Sequence, residues 1–418
     1  MTTATLDIER LGQRGEGVAR LGGKPVFVPY ALAGERVVAE VEGERARLLE
    51  ILVPSKDRIA PFCPHYGVCG GCAVQSLAAA PYAEWKRGLV EAALRHAGVA
   101  ANVLTPVDAH GAGRRRVVFH AREGRVGFMQ ARAHDIVEIE ACPLLEPRLA
   151  PALPAARALA LALLAKDKPL DIAATATRDG LDVDLRGAGP LEERETLALI
   201  ELAARFDLAR LSNHGRVVAL RRKPRVDIGE MLVTPPGGGF LQATAQGEAE
   251  IAQRVLSGAL DAKRVADLFC GVGAFALRLA QRTSVFACDV DAEAIASLAD
   301  CVRMETGLKP IETKTRDLFR NPLRAEELEG FDAVVFDPPR AGAAAQCAEF
   351  AKAATPLLIA VSCNAQSFAR DAAVLIGAGY AMGEVATIDQ FRHSAHVETV
   401  ARFSKARPAR RKRSLLSR

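Results

Sequence analysis

Between positions 264 and 403 the chain alternates short apolar runs with segments of helical periodicity, and a glycine turn ends the first apolar run. That alternation leaves few architectures open. Strands buried on both faces read as continuous apolar runs, and parallel neighbours need a crossover, usually a helix, between them. Strands are expected over 264–269, 284–288, 312–316, 332–336 and 357–361, and helices over 245–260, 274–282, 292–306, 343–353 and 367–378. Two further strands, near 384–388 and 398–403, would close an edge. The pattern predicts an α/β fold with a doubly wound, mainly parallel sheet.

The glycine turn reads Asp267-Leu268-Phe269-Cys270-Gly271-Val272-Gly273 and lies where the first strand passes into a helix. Glycine there lets the backbone approach a ligand, and a helix N-terminus offers free N–H groups. Asp289 ends the next strand, where an acid can bind ribose hydroxyls. Asp317 follows the third strand, where a carboxylate or its neighbouring backbone can meet an adenine. Each alone could be an ordinary turn residue; together they point to a nucleotide-like cofactor. A nicotinamide fits less well, because the full Gly-x-Gly-x-x-Gly is absent and position 276 is Ala. Asp337-Pro338-Pro339-Arg340 closes the fourth strand. Enzymes that methylate an amine usually carry an aromatic residue in the last place, so Arg340 suits an anionic or carbonyl-rich partner instead.

Cys363, in Val361-Ser362-Cys363-Asn364, falls at the C-terminal edge of the fifth strand, the functional rim of such sheets. A buried core cysteine is the ordinary alternative, but Ser362 and Asn364 flank it with polar groups. Glu398 interrupts the apolar run His396-Val397-Glu398-Thr399-Val400. It is either a solvent-facing residue of an edge strand or a base in a pocket.

Three more thiols crowd into Cys63-x5-Cys69-Gly70-Gly71-Cys72, and Cys142 in Glu140-Ala141-Cys142-Pro143 is the natural fourth. Thiolates at this density indicate zinc or an iron–sulfur cluster. Cys270, Cys288, Cys301 and Cys347 complete the nine cysteines and read as packing residues. Positions 1–10 carry no apolar leader, and the longest apolar stretch, 149–164, contains Pro151, Pro154 and Arg157, so it reads as a core helix. A cytoplasmic protein with reduced thiols is expected.

Residues 1–55 show short apolar runs between glycines, near 6–8, 17–20, 25–28, 35–41 and 45–51, as a small β-barrel would. A helix is expected over 82–96, and one long alanine- and leucine-rich helix among strands from 102 to 228. Pro235-Pro236-Gly237-Gly238-Gly239 marks a boundary. Net charge is +5, but Arg114-Arg115-Arg116, Arg221-Arg222-Lys223 and the tail after Ala406 concentrate cations, as a polyanion-binding protein would. A solvated surface is the plainer account of any single cluster.

The glycine turn, Asp-Pro-Pro-Arg, Ser-Cys-Asn and His-Val-Glu-Thr-Val, in this order, resemble the RNA uracil-5 methyltransferase family. Phe240-Leu241-Gln242 matches that family's Phe-x-Gln motif, and the resemblance covers nearly the whole chain. It implies a Rossmann-like class I methyltransferase sheet over 231–405, using S-adenosylmethionine. It implies a TRAM- or OB-type RNA-binding barrel over 1–55 and a central α+β domain over 56–230, with a basic tail over 406–418. By resemblance Cys363 is the nucleophile and Glu398 the general base, while Gln242, Phe269, Asp289, Asp317 and Asp337 line the cofactor and base site beside Gly271 and Gly273. Cys63, Cys69, Cys72 and Cys142 resemble the ligands of that family's [4Fe-4S] cluster, although four thiolates also suit zinc. Having both barrel and knot makes the chain most similar to the members acting on 23S ribosomal RNA. Transfer RNA is the alternative substrate, and a non-catalytic RNA-binding or ribosome assembly factor the alternative role. Two departures stand out: Thr244 where the family usually has Asn, and Ala365 where it often has Pro.

Overall fold

The computed structural model describes residues 2–131, 133 and 135–405. The expected basic tail over 406–418 lies outside them. The backbone divides into two compact units, each assembled from separated stretches of chain. The first comprises residues up to Glu91, Thr105–Glu250 and Thr387–Glu398; the second comprises Ala92–Leu104, Ile251–Ala386 and the described chain from Thr399 onward.

The first unit opens with a six-stranded sheet wrapped around its own core. Arg36–Glu42 alternates buried and less buried residues without a break, as a strand with one face inward must. It lies between Thr2–Asp7 and Arg45–Val53, both antiparallel to it. Leu6, Ala19, Val26, Val28, Val37 and Ala39 fill the centre. All five expected strands are present, with Arg10–Leu11 added as a short sixth pairing with Gly17–Leu21.

The rest of the first unit is built on a seven-stranded sheet whose central strands are Arg116–Arg122, Leu170–Thr177 and Gly180–Arg186. Two helices support it where one long helix was expected. Ala152–Ala162 ends after 11 residues at Leu163, and Glu193–Arg205 is the second. The second helix connects Gly180–Arg186 to Arg210–Asn213, which pair parallel and therefore need a crossover. Its hydrophobic residues are fewer and its first turn is acidic, which hid it among charged residues. Leu159, Leu163, Ile172, Val183, Leu199 and Leu211 belong to one apolar cluster.

The second unit holds the doubly wound sheet. In order of appearance its strands are Arg264–Leu268, Ser284–Asp289, Ile311–Thr315, Ala333–Phe336, Leu357–Ser362, Ala381–Asp389 and Glu398–Ser404. Their spatial order is third, second, first, fourth, fifth, seventh, sixth. The first five are mutually parallel, and the seventh runs antiparallel to the fifth. Strand order reverses between the first and fourth strands, where sheets of this kind open a crevice at their C-terminal ends. Cys270, Cys288, Cys301 and Cys347 are all buried, as packing residues should be. Among the described residues, no helix is long and apolar enough to cross a membrane.

Glu35 fastens the end of the barrel to the segment that follows it. Its carboxylate accepts the N–H groups of Leu32 (2.8 Å) and Ser55 (3.2 Å) and pairs with the Arg58 guanidinium. Burial works against its charge, but Arg58 and the two amides win and hold the carboxyl below its usual range. Glu35→Ala strands Arg58 and two backbone donors, so a loss of about 3 kcal/mol is expected. Thermal unfolding of the full chain at neutral pH measures it.

Candidate active site

Each unit carries its own share of the site residues. In the second unit the glycine turn is held in unusual backbone conformations. Phe269, Gly271 and Gly273 have φ of 61°, 52° and 90°. A Cβ on Gly273 would lie 2.5 Å from Leu298 Cδ1, so that glycine permits close packing against the helix Ala292–Met304. A Cβ on Gly271 would meet nothing within 4 Å, so the face above it is open to a ligand. The N–H of Gly271 donates to Asp289 Oδ2 at 2.8 Å, which locks the turn to the end of the second strand. Asp289 Oδ1 accepts the Asp291 N–H, so both carboxylate oxygens are oriented before any ligand arrives.

Asp317 is organised in the same way, with Oδ1 accepting the N–H groups of Phe319 and Arg320. Phe319 was not singled out in the sequence. Its ring lies 5.6 Å from that of Phe269 and is 42% exposed, which offers an apolar face beside the turn. The Asp337 N–H donates to Leu268 O, so the Asp-Pro-Pro-Arg segment is anchored across the switch point to the first strand.

Cys363 is half-buried, directly after the fifth strand and two residues before the first residue of a helix. Asn364 caps that helix, its side-chain oxygen accepting the N–H groups of Gln366 and Ser367. Ala365 is therefore the first helical residue, a place where Pro suits because no N–H is needed. With Asn364 as the cap, Ala serves there without structural loss. Ser362 pairs with Thr399, whose hydroxyl donates to Ser362 O at 3.1 Å. Along the chain, Cys363 directly follows Ser362 and Glu398 directly precedes Thr399.

Beneath the turn sits a residue the sequence did not mark for a role. Asp267 is fully buried, and among the described residues neither carboxylate oxygen has a partner at full hydrogen-bond geometry. Burial pushes it up to about 8, with the neighbouring Asp289 charge adding to the rise and the Ala276 amide opposing it. An acid inside the apolar run Val265-Ala266-Asp267-Leu268 was the available signal.

The first unit contributes Gln242 and Glu398, both buried. One residue joins them. Gln390 Nε2 donates to Gln242 Oε1 at 2.7 Å and to Glu398 Oε1 at 2.9 Å. Thr244, the first departure from the family pattern, gives its backbone N–H to Gln390 Oε1 and its hydroxyl to Ala109 O. Arg115 is the buried support of the Gln242 segment. It donates to Gln242 O at 3.0 Å and pairs with the buried Glu248. This corrects the reading of 114–116 as a polyanion patch, since its middle cation is an internal strut. Arg221 and Arg222 likewise pair with Asp207, so two cations of the other cluster are committed within the protein.

The same unit holds a cavity of about 770 Å³ lined by Cys63, Cys69, Cys72 and Cys142. The Gly70 N–H donates to Met129 O and the Ala131 N–H to Val68 O, which bind the knot to the Arg125–Met129 strand. Arg114 exchanges backbone hydrogen bonds with Leu144 and Glu146, which fixes the turn after Cys142. Burial pushes the Cys72 thiol up to about 11 and raises Cys69 and Cys142, while Arg114 pulls all three the other way. Among the described residues, no three His, Cys, Asp or Glu side chains converge on a point that would hold one ion.

Residues 238–406 match the family model for tRNA (Uracil-5-)-methyltransferase, and residues 2–50 match the TRAM domain. An RNA methyltransferase from Caulobacter vibrioides is 42% identical, over 96% of this chain and 99% of its own. The 23S rRNA (uracil(1939)-C(5))-methyltransferase of Pectobacterium atrosepticum is 31% identical, over 96% of this chain and 93% of its own. The chain belongs to the RNA uracil-5 methyltransferase family. It is an S-adenosylmethionine-dependent enzyme acting on RNA. The Pyrococcus abyssi tRNA (uracil-54, C5)-methyltransferase, solved with S-adenosyl-L-homocysteine, shares the fold with a TM-score of 0.74 at 21% identity, covering 96% of this chain and 99% of that one.

The buried acid of this methyltransferase generates a pH prediction. Unfolded, Asp267 ionises near 3.9, as aspartates do. Between that value and about 8 the folded state binds the extra proton, so stability falls as pH rises, by up to about 1.4 kcal/mol per pH unit. Without cofactor, Asp267→Asn is expected to raise the unfolding temperature at pH 8 and to change it little at pH 4. An equal gain at both pH values would contradict the assignment.

Proposed function

We propose that the protein methylates C5 of a uridine in 23S ribosomal RNA through a covalent bond between Cys363 Sγ and uracil C6. The observation that carries the reading is the pairing of Ser362 with Thr399, which makes Cys363 and Glu398 the next residue beyond the pair on each chain segment. A relative of nearly full length, 31% identical, is named for 23S rRNA, which favours that substrate.

Uracil C5 is too weak a nucleophile to take a methyl group from a sulfonium. Attack by the Cys363 thiolate at C6 forms the S–C6 bond and pushes the C5–C6 π pair into an enolate, which makes C5 nucleophilic. C5 attacks the methyl carbon and forms the C5–CH3 bond, as the S–CH3 bond breaks and S-adenosylhomocysteine leaves with its electron pair. The Glu398 carboxylate removes the C5 proton; that electron pair restores C5=C6 and expels the thiolate. Gln242, Phe269, Asp289, Asp317 and Asp337, with the open turn at Gly271 and Gly273, hold the cofactor and the base. A uracil inside a duplex is out of reach, so it is flipped or presented in a loop. The barrel and basic surface would bind RNA backbone, with affinity falling as salt rises.

Cys63, Cys69, Cys72 and Cys142 would hold a [4Fe-4S] cluster, which would brace the knot with no part in methyl transfer. The four thiols lining one cavity support this assignment. Protein purified without oxygen should be brown and contain iron, and Cys72→Ser should lose both. Colourless protein carrying zinc would overturn the cluster and leave the methylation reading standing.

The substrate is tested with labelled S-adenosylmethionine and separated 23S and transfer RNA from cells lacking the gene. Label is expected in 5-methyluridine of 23S RNA. Label in transfer RNA alone would move the substrate, and no label in either would overturn both substrate readings. RNA containing 5-fluorouridine should become covalently attached, because fluorine cannot leave as a proton does; Cys363→Ala should abolish that attachment.

A further inference from the structure

We propose that Gln390 is a positioning residue for the proton-removal step, holding the Glu398 carboxylate in place and in its ionised form. The inference rests on the reading of Glu398 as the base. Gln390 is wholly buried, and its amide is fully committed. One N–H points to Glu398 Oε1 and the other to Gln242 Oε1, while its oxygen receives the Thr244 N–H at 3.3 Å. The backbone donor at Thr244 fixes which end of the amide is oxygen, so the nitrogen must face the two acceptors.

A buried carboxylate is costly unless hydrogen bonds reach it, and a donor to its charged form favours ionisation. Glu398 is 2% exposed, and Gln390 is such a donor. The same nitrogen ties the base to Gln242, so base and cofactor-side residue share one anchor. The helix Ala245–Gly258 makes room for that anchor. A Cβ on Gly247 would lie 2.6 Å from Gln390 Oε1 and 2.7 Å from its Cβ, so this helix carries a glycine in its first turn although glycine costs about 1 kcal/mol against alanine.

Lys86 fixes the segment that Gln390 and Glu398 bracket. Its ammonium is wholly buried, pairs with Asp389 Oδ1 at 2.9 Å and donates to the carbonyls of Phe391 and His396. Tyr82 donates to the other oxygen of Asp389 at 2.6 Å and accepts the His393 N–H. The loop is thus pinned near both ends, with Gln390 next to Asp389 and Glu398 two residues after His396.

The test uses the full-length protein, wild type and the variants Gln390→Leu and Gln390→Glu, with ordinary and 5-fluorouridine RNA. Removing the donor weakens the ionised base, so turnover on ordinary RNA should fall about 10- to 100-fold, the value of one hydrogen bond to a charged group. The acid limb of the pH–rate profile should move to higher pH, because the neutral carboxyl persists further up the scale. Gln390→Glu, close in shape but acidic, should move it further through repulsion between the two carboxylates. Both variants should accumulate a covalent complex with ordinary RNA, since methyl transfer precedes the impaired step; a merely structural lesion would not produce that signal. Wild-type turnover with an unmoved profile in both variants would overturn the inference, as would equal loss of turnover and of 5-fluorouridine attachment. Failure of the wild type to attach 5-fluorouridine RNA would instead overturn the uracil-5 reading, and the inference with it.

Discussion

A fully buried ammonium dictates much of the first unit. Lys86 has no water to solvate it, so every group around it must answer its charge. Burial pulls its proton affinity below the ordinary lysine value, and the Asp389 carboxylate opposes that fall only in part. Removing Asp389 would leave a bare charge, so the end of the Ala381–Asp389 strand is bound to the start of the Ala79–His96 helix. That bond decides where residues 390 to 398 begin and how they turn. The stretch between the strands Ala381–Asp389 and Glu398–Ser404 is thereby pinned near both of its ends.

The other half of the chemistry rests on a different device. In the second unit, parallel strands and their crossovers bring the ends of the first, second and fourth strands together. What the sequence adds is backbone freedom at Phe269, Gly271 and Gly273 and a carboxylate, Asp289, that locks the turn. Asp267 beneath it is kept at a cost, since burial disfavours its charge.

The sheet was legible because its strands are continuous apolar runs separated by helical periods, and the structure moves their ends by no more than three residues. The glycine turn and the cysteines were legible because few other residues do what they do. Arg115 was misread: a cation in a run of three gives no sign that the middle one is buried against Glu248. The helix Glu193–Arg205 was missed because only one face of it meets the core and its exposed face dominates the composition. Gln390 carried no signal either, being one polar residue after a strand. Its role exists only because residues 242, 244 and 398, far apart in sequence, converge on its amide.

That convergence also accounts for the Thr244 departure. An asparagine there would bring a side-chain amide with two donors and an acceptor. Threonine brings a single hydroxyl, and here it is spent on Ala109 O while accepting the Gly247 N–H. A primary amide is nonetheless present between Gln242 and Glu398, supplied by Gln390 from a neighbouring strand end. Position 244 is left with a helix-capping task for which a short hydroxyl is enough. Threonine at 244 therefore removes no amide from the contact with Glu398, because that donor stands on a different segment, at Gln390.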